Sequence, residues 1–150
     1  KNSERIEWFL EKATEIGIDE ITPLICDRSE RRDIKAERLN KVIVSAAKQS
    51  IKAYFPKLNE PIRFTDFVSG NTSAQKFIAH CIPSQKKSIK EEIRLKSDYL
   101  ILIGPEGDFS STEVDLAREN KFIPVSLGDS RLRTETAALE ACFEINFLNR

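Results

Sequence analysis

The chain has 150 residues, of which 40% are hydrophobic and 32% are charged, and 24 basic side chains balance 24 acidic ones. This composition is that of one globular domain large enough to bury a core. It excludes a membrane-spanning protein, because no run approaches the roughly 18 apolar residues that a transmembrane helix needs. No apolar stretch follows the first charged residues, so we do not expect a secretory signal peptide in residues 1–30.

The first half of the chain alternates helical and strand patterns. Apolar residues recur every three or four positions over 3–16, which predicts a helix that stops at Gly17. A strand is predicted over 18–26, with Pro23 marking an irregularity. A charged loop over 27–33 and a second helix over 35–53 follow. From 59 to 73 the pattern is weak.

The second half repeats the alternation more clearly. Strands are predicted over 76–82, 99–103 and 122–127, and helices over 111–120 and 135–148, whereas 83–96 has no clear form. The run 99–103 is wholly apolar, as in a central parallel strand buried on both faces. Ser110 and Glu113 have the spacing of a capping box. These elements predict an α/β fold with a mostly parallel sheet and helices on both faces.

Three cysteines are spread along the chain without a CxxC pair, at Cys26, Cys81 and Cys142. This spacing predicts neither a disulfide framework nor a zinc or other metal site, and favours the reducing cytoplasm. The chain begins at a lysine and contains no methionine. We therefore expect a fragment of a longer protein, with a preceding domain missing.

Two loops that follow predicted strands carry the candidate chemistry. Residues 104–110 read GPEGDFS, residues 128–137 read GDSRLRTETA, and three of the five glycines of the chain lie in them. Ligands of open α/β sheets bind beyond the carboxyl ends of the strands, and glycine permits close backbone approach. The plainer interpretation is two tight turns between strand and helix. The pairing of two such loops favours a backbone-lined pocket.

No known motif identifies the ligand or the reaction of this pocket. Neither loop matches a dinucleotide-binding or P-loop pattern. His80 is the only histidine and falls in a predicted strand, where packing is the commoner role, so a Ser-His-Asp or Cys-His pair has little support. Glu106 and Glu135 are candidate acids or bases, and glutamates near helix starts also complement the helix dipole.

Several segments, taken in order, resemble one family. They are Arg5 to Gly17 (RIEWFLEKATEIG), Arg28-Ser29, Ala46 to Ser50 (AAKQS), the GPEG loop, and the run from Leu127-Gly128 through Leu132 to Ala137 (LRTETA). Together they resemble the 16S ribosomal RNA uridine-N3 methyltransferases, RsmE, of the SPOUT superfamily. The resemblance covers nearly the whole chain and is weakest over 59–97.

The resemblance implies the catalytic domain of an S-adenosylmethionine (AdoMet)-dependent enzyme that methylates N3 of a uridine in the small ribosomal subunit. It implies a C-terminal trefoil knot, a homodimer that shares its RNA site, and a preceding β-barrel of PUA type that this chain lacks. Two alternatives stay open. One is a SPOUT methyltransferase for another RNA position, and the other is a non-catalytic RNA-binding or dimerisation module.

The resemblance also assigns site residues. The AdoMet pocket would be lined by His80, Leu102, Ile103, Gly104, Glu106, Gly107, Leu127, Gly128, Leu132, Arg133, Thr136 and Ala137. RNA would contact Arg28, Arg31, Arg32, Gln49 and Lys52. Arg133 is the candidate cation for a uridine anion or a phosphate, and Glu135 is the candidate base, with a structural ion pair as the alternative for both.

This chain departs from the family pattern at two places. Ile51-Lys52 stands where the family commonly has glycine and arginine, so the RNA contact keeps a charge but loses a bidentate group. Asp108 replaces a frequent glycine after GPEG, which we expect to alter the first loop without moving it.

Overall fold

The computed structural model describes residues 2–30, 34–70, 73 and 75–150. The described residues form helices and strands in alternation: α1 (Asn2–Ile16), β1 (Glu20–Ile21), β2 (Leu24–Ile25), α2 (Ala36–Gln49), β3 (Lys57–Leu58), β4 (Ile62–Arg63), α3 (Phe64–Gly70), β5 (Gln75–Ala79), β6 (Lys87–Ser88), α4 (Ile89–Glu92), β7 (Tyr99–Ile103), α5 (Ser111–Glu119), β8 (Ile123–Ser126) and α6 (Thr134–Leu148).

The main sheet has four strands in the order β6-β8-β5-β7, and all its pairs are parallel. Two shorter parallel pairs, β1–β3 and β2–β4, accompany it. The predicted α/β fold with a parallel sheet is confirmed. Strand β5 lies between β7 and β8, so the segments that leave β7 and β8 emerge on either side of the end of β5.

Helices cover both faces of the main sheet. Phe77 and Ile78, neighbours on β5, are both fully buried but point to opposite faces. Phe77 packs with Val125 and with Ala141 of α6, whereas Ile78 belongs to a cluster that includes Phe109 and residues of α3 and α5. The prediction of helices on both faces is confirmed by these two clusters.

Helices α1 and α6 pack side by side and run in the same direction. Near their starts, Arg5 Nε lies 3.6 Å from Glu135 Oε1. Near their ends, Asn146 Nδ2 donates a hydrogen bond of 2.8 Å to the carbonyl oxygen of Gly17. At 1.5 Å per residue, the twelve residues between Arg5 and Gly17 separate the two ends by about 18 Å.

Pro23 divides the strand predicted over 18–26. The structure has β1 and β2 instead, which pair with different partners, β3 and β4. Proline has no backbone N–H and cannot donate to a ladder, but its carbonyl oxygen still accepts a hydrogen bond of 3.1 Å from Ile62 N. The weak region after residue 59 contains β4 and α3, and the unclear region 83–96 contains β6 and α4.

Helix α2 ends four residues earlier than predicted. Lys52 N donates to Ala47 O at 2.9 Å and Ile51 N donates to Lys48 O at 3.3 Å, the bond pattern of a Schellman ending. This ending needs a left-handed residue, and Ile51 occupies it with φ 58°. Glycine is the usual residue there, so the isoleucine gave no sign of the helix end in the sequence.

The three cysteines are unpaired; Cys26 and Cys142 are buried and Cys81 is exposed. Across residues 2–30, 34–70, 73 and 75–150, no group of three or more His, Cys, Asp or Glu side chains converges on a point that could hold a metal ion. None of the helices described above combines the length and the apolar character needed to cross a bilayer.

Candidate active site

The two glycine-bearing loops meet at the carboxyl ends of the main strands. We call residues 104–110 the first loop and residues 127–133 the second loop. Thr134 Oγ1, directly after the second loop, donates a hydrogen bond of 2.9 Å to the carbonyl oxygen of Gly104. A cavity of about 620 Å³ opens between the loops and the end of β5. Its size falls within the range of small-molecule and cofactor sites.

The first loop is held in one conformation by its own hydrogen bonds. Asp108 N donates to Pro105 O at 2.9 Å, and Asp108 has φ 65°. Its carboxylate oxygen Oδ2 accepts a hydrogen bond of 2.9 Å from Cys81 N. A left-handed backbone explains the glycine that the family often has here, and the aspartate adds a tie between the loop and the end of β5.

The glycines of the two loops serve different purposes. At Gly104, an added Cβ would lie 3.2 Å from both the ring and the backbone nitrogen of Phe109, so the close packing there requires glycine. At Gly128 the requirement is conformational, because φ is 120° and nothing lies within 4 Å of an added Cβ. Gly128 also lines the cavity.

His80 is a buried polar side chain that faces the cavity without a partner. It is 8% exposed, and neither ring nitrogen has a hydrogen-bond partner among the described residues. Burial lowers the pKa of His80 below its ordinary 6.5, and the charge of Lys86 lowers it further, so the ring is neutral at pH 7. Buried polar groups are normally hydrogen-bonded, so this pair of buried, unpartnered nitrogens beside the cavity is an exception.

Four cationic side chains line the cavity, at Arg5, Lys86, Arg131 and Arg133. Lys86 Nζ is held by the carbonyl oxygens of His80 and Ile82, at 2.6 and 2.9 Å. Arg5 is held by Glu135, and no ion pair joins Arg133 to a carboxylate within the described part of the chain. The acidic residues Glu106, Asp108 and Asp129 also line the cavity. A lining with both signs of charge suits a ligand that itself carries positive and negative groups.

Sequence reasoning did not assign Arg5 to the site. Arg5 belongs to a helix at the other end of the chain, and only the packing of α1 against α6 brings it to the cavity. No pattern in the sequence states which helices pack together. Its place in a family-like opening segment was the one available indication.

Nine of the twelve residues predicted to bind AdoMet line the cavity: His80, Ile103, Gly104, Glu106, Leu127, Gly128, Leu132, Arg133 and Ala137. The other three lie nearby. The Leu102 side chain is buried in the cluster around Ile78 and Phe109. Gly107 packs against Arg28, and Thr136 is exposed on α6.

The residues predicted to contact RNA fall into two groups. Arg28 is exposed beside the first loop, where its Nη1 donates a hydrogen bond of 2.9 Å to Gly107 O. Gln49 and Lys52 lie at the end of α2. The segment that follows them reaches the end of α1, where Lys57 N donates a hydrogen bond to Asp19 O. The cavity lies at the opposite end of α1. Arg31 and Arg32 lie outside the described residues.

Comparison with known proteins gives a consistent result. The profile of a family described as RNA methyltransferase domain matches residues 1–146. The ribosomal RNA small subunit methyltransferase E of Rickettsia conorii is 30% identical over 97% of this chain and 60% of its own length. The chain thus spans about 60% of the length of this curated relative.

Two solved structures share the fold. A probable rRNA methyltransferase from Porphyromonas gingivalis has a TM-score of 0.95 and 47% identity, over 99% of this chain and 64% of that one. The ribosomal RNA small subunit methyltransferase E of Neisseria gonorrhoeae, solved with bound S-adenosylmethionine, has a TM-score of 0.83 and 30% identity, over 97% of this chain and 62% of that one.

Proposed function

We propose that this chain, which belongs to the RsmE family of RNA methyltransferases, is the catalytic domain of an enzyme that transfers a methyl group from AdoMet to N3 of a uridine in 16S ribosomal RNA. The observation that carries the proposal is the cavity between the two loops joined by Thr134 and Gly104. The name of the Rickettsia relative and the ligand of the Neisseria structure support it.

The residues around the cavity fit AdoMet. Apolar walls come from Ile103, Leu127 and Leu132, which suit an adenine ring, and the small Ala137 leaves room beside them. The backbone groups around Gly128 offer polar contacts. When bound there, AdoMet supplies an electrophilic methyl group, so the protein's task is to orient and to exclude water. For Leu102, Gly107 and Thr136, we propose that they support the AdoMet site from behind and do not line the cavity.

N3 of uridine must lose its proton, and a cation at the cavity lowers the cost of the resulting anion. Arg133 lines the cavity, caps the start of α6 with its backbone, and has no carboxylate partner among the described residues, so we assign this role to it. Glu135 does not line the cavity and instead pairs with Arg5. We therefore propose Glu135 as a positioning residue for Arg5, ahead of its predicted role as the base.

We also propose the assembly that the family resemblance implies. This assembly includes a C-terminal trefoil knot of the SPOUT type, and the bond from Thr134 to Gly104, between the two loops that such a knot would bring together, supports it. Trp8 of α1 and the stacked rings of Phe143 and Phe147 on α6 are exposed apolar groups that a second copy would cover in a homodimer. The RNA groups at Arg28 and at Gln49–Lys52 would then face one 16S segment, in the cytoplasm where small subunits are made.

The direct test is methyl transfer to purified small ribosomal subunits that lack the modification. We expect the enzyme to produce 3-methyluridine in 16S RNA, detected by mass spectrometry of the nucleosides, and Arg133→Ala to abolish it while AdoMet binding persists. A methylated nucleoside at another position would favour the alternative SPOUT activity. AdoMet binding without any transfer, or no binding, would contradict the proposal.

A further inference from the structure

A turn after α2 presents apolar side chains to solvent. In residues 51–55, Ile51 is 92% exposed, Tyr54 is 77% exposed and Phe55 is 52% exposed. Exposed aromatic rings this close together are uncommon on the surface of a globular protein, and such patches usually mark an interaction site. We call residues 51–55 the aromatic turn.

The surroundings of the aromatic turn are basic, although the chain as a whole is neutral. Between Glu37 and Glu60 the sequence has five basic residues and no acidic one. Arg38 pairs with Glu7, Lys41 pairs with Glu37, and Lys57 lies opposite Glu20 in the β1–β3 pair. The remaining two, Lys48 and Lys52, have no carboxylate partner in the described part of the chain.

We propose that the aromatic turn is a stacking platform for a single-stranded segment of the RNA substrate, with Tyr54 and Phe55 against the bases and Lys48 and Lys52 near the phosphates. This inference rests on the proposed function. Recognition of unpaired RNA combines aromatic stacking with cations that follow the backbone, and the turn offers both. Two unpaired lysines beside exposed rings complement a polyanion in charge.

The position of the turn decides which nucleotides it contacts. It lies at the end of α1 opposite the cavity, about 18 Å along that helix from Arg5. The platform therefore does not hold the uridine that reacts in its own subunit. It holds nucleotides that flank the target, and contributes to affinity rather than to the chemical step.

Substitutions at Phe55 separate base stacking from hydrophobic docking. Phe55→Leu keeps an apolar side chain but removes the ring, whereas Phe55→Trp keeps a ring. We expect Tyr54→Ala and Phe55→Leu each to weaken binding of a fluorescent single-stranded 16S fragment about tenfold, and Phe55→Trp to preserve it. Leu95→Ala, at another exposed apolar residue, is the matched control and leaves binding unchanged.

The steady-state constants and the oligomeric state complete the test. We expect the Tyr54 and Phe55 variants to raise KM for small subunits with kcat and AdoMet affinity unchanged. If Phe55→Leu binds RNA as the wild type does, or if the variants change the sedimentation coefficient, the turn docks protein and the proposal is overturned. Failure of the wild type to bind AdoMet would instead contradict the proposed function, so the two failures are distinguishable.

Discussion

Arg5 and Glu135 form an ion pair, with 3.6 Å between Nε and Oε1, that connects the first helix of the chain to the last beside the cavity. The Arg5 side chain lines the cavity, and the Glu135 side chain is largely shielded from solvent. A pair of this kind contributes about 0.2–1 kcal/mol to stability, so its main effect is to hold Arg5 in place.

The substitution Glu135→Gln distinguishes a positioning role from a base. Glutamine still accepts a hydrogen bond from Arg5, so we expect kcat to fall less than tenfold and the pH–rate profile to keep its shape. Loss of a general base costs about a hundredfold or more. A loss of that size, with the acidic limb of the profile removed, would return Glu135 to the chemistry.

The reactivity of the cysteines reports on the cavity. Burial raises the pKa of Cys26 to about 12, with a further contribution from Glu113, and burial raises that of Cys142 to about 11. Both therefore stay protonated and unreactive at pH 8, whereas Cys81 is exposed and lines the cavity. We expect a disulfide reagent to label one thiol per native chain, and saturating AdoMet to slow that labelling.

The control for this experiment is Cys81→Ser, which removes the reactive thiol. Labelling of Cys81 at the same rate with and without saturating AdoMet would show that the ligand binds elsewhere.

The buried His80 makes stability depend on pH. Its pKa in the folded chain lies below the ordinary 6.5, because burial and Lys86 outweigh the opposing charge of Asp108. The unfolded chain therefore binds the proton more readily, and stability falls as the pH drops below 6.5 toward the folded pKa. We expect urea unfolding between pH 8 and pH 5.5 to show this loss, and His80→Asn to show a smaller one. Equal slopes for the two proteins would contradict it.

We expect the folded chain to be less stable with isoleucine at position 51 than with glycine there. A β-branched residue at φ 58° costs about 1–2 kcal/mol, and the flexibility of glycine in the unfolded chain returns about 0.5–1 kcal/mol of that. We expect Ile51→Gly to raise the free energy of unfolding by roughly 0.5–1 kcal/mol. Ala53→Gly, at a residue outside the left-handed region, is the control and should destabilise. A fall in stability for Ile51→Gly would show that its exposed side chain makes contacts after all.

Local patterns predicted the parts of the fold that local forces decide. The apolar run Tyr99–Ile103 does form a parallel strand, but β7 lies at the edge of the main sheet and only Leu102 is fully buried, so the predicted central position is wrong. Strand order depends on distant parts of the chain, which an apolar run does not encode. Ser110 and Glu113 form the capping box that their spacing indicated. The helix end at Gln49 was missed because the residue that terminates it, Ile51, has poor propensity for that conformation. The division at Pro23 was predicted only as an irregularity, because the strands on either side of it pair with residues 37 and 38 positions away.

The candidate site was predicted only in part, for a similar reason. Both loops follow strands and carry glycine, so their proximity could be inferred from the sheet alone. The Thr134–Gly104 hydrogen bond and the position of Arg5 beside the cavity depend on how the helices pack. No short sequence pattern predicts that packing. Arg28 was predicted near RNA, and its bond to Gly107 shows that it also supports the first loop.

A crystal structure of the chain with AdoMet tests the central claim most directly. We predict density for the ligand between residues 104–110 and 127–133, with its adenine against Leu127 or Leu132 and a polar group within hydrogen-bond distance of the Gly128 backbone. A ligand bound elsewhere on the surface, or a cavity that stays empty at saturating AdoMet, would contradict it.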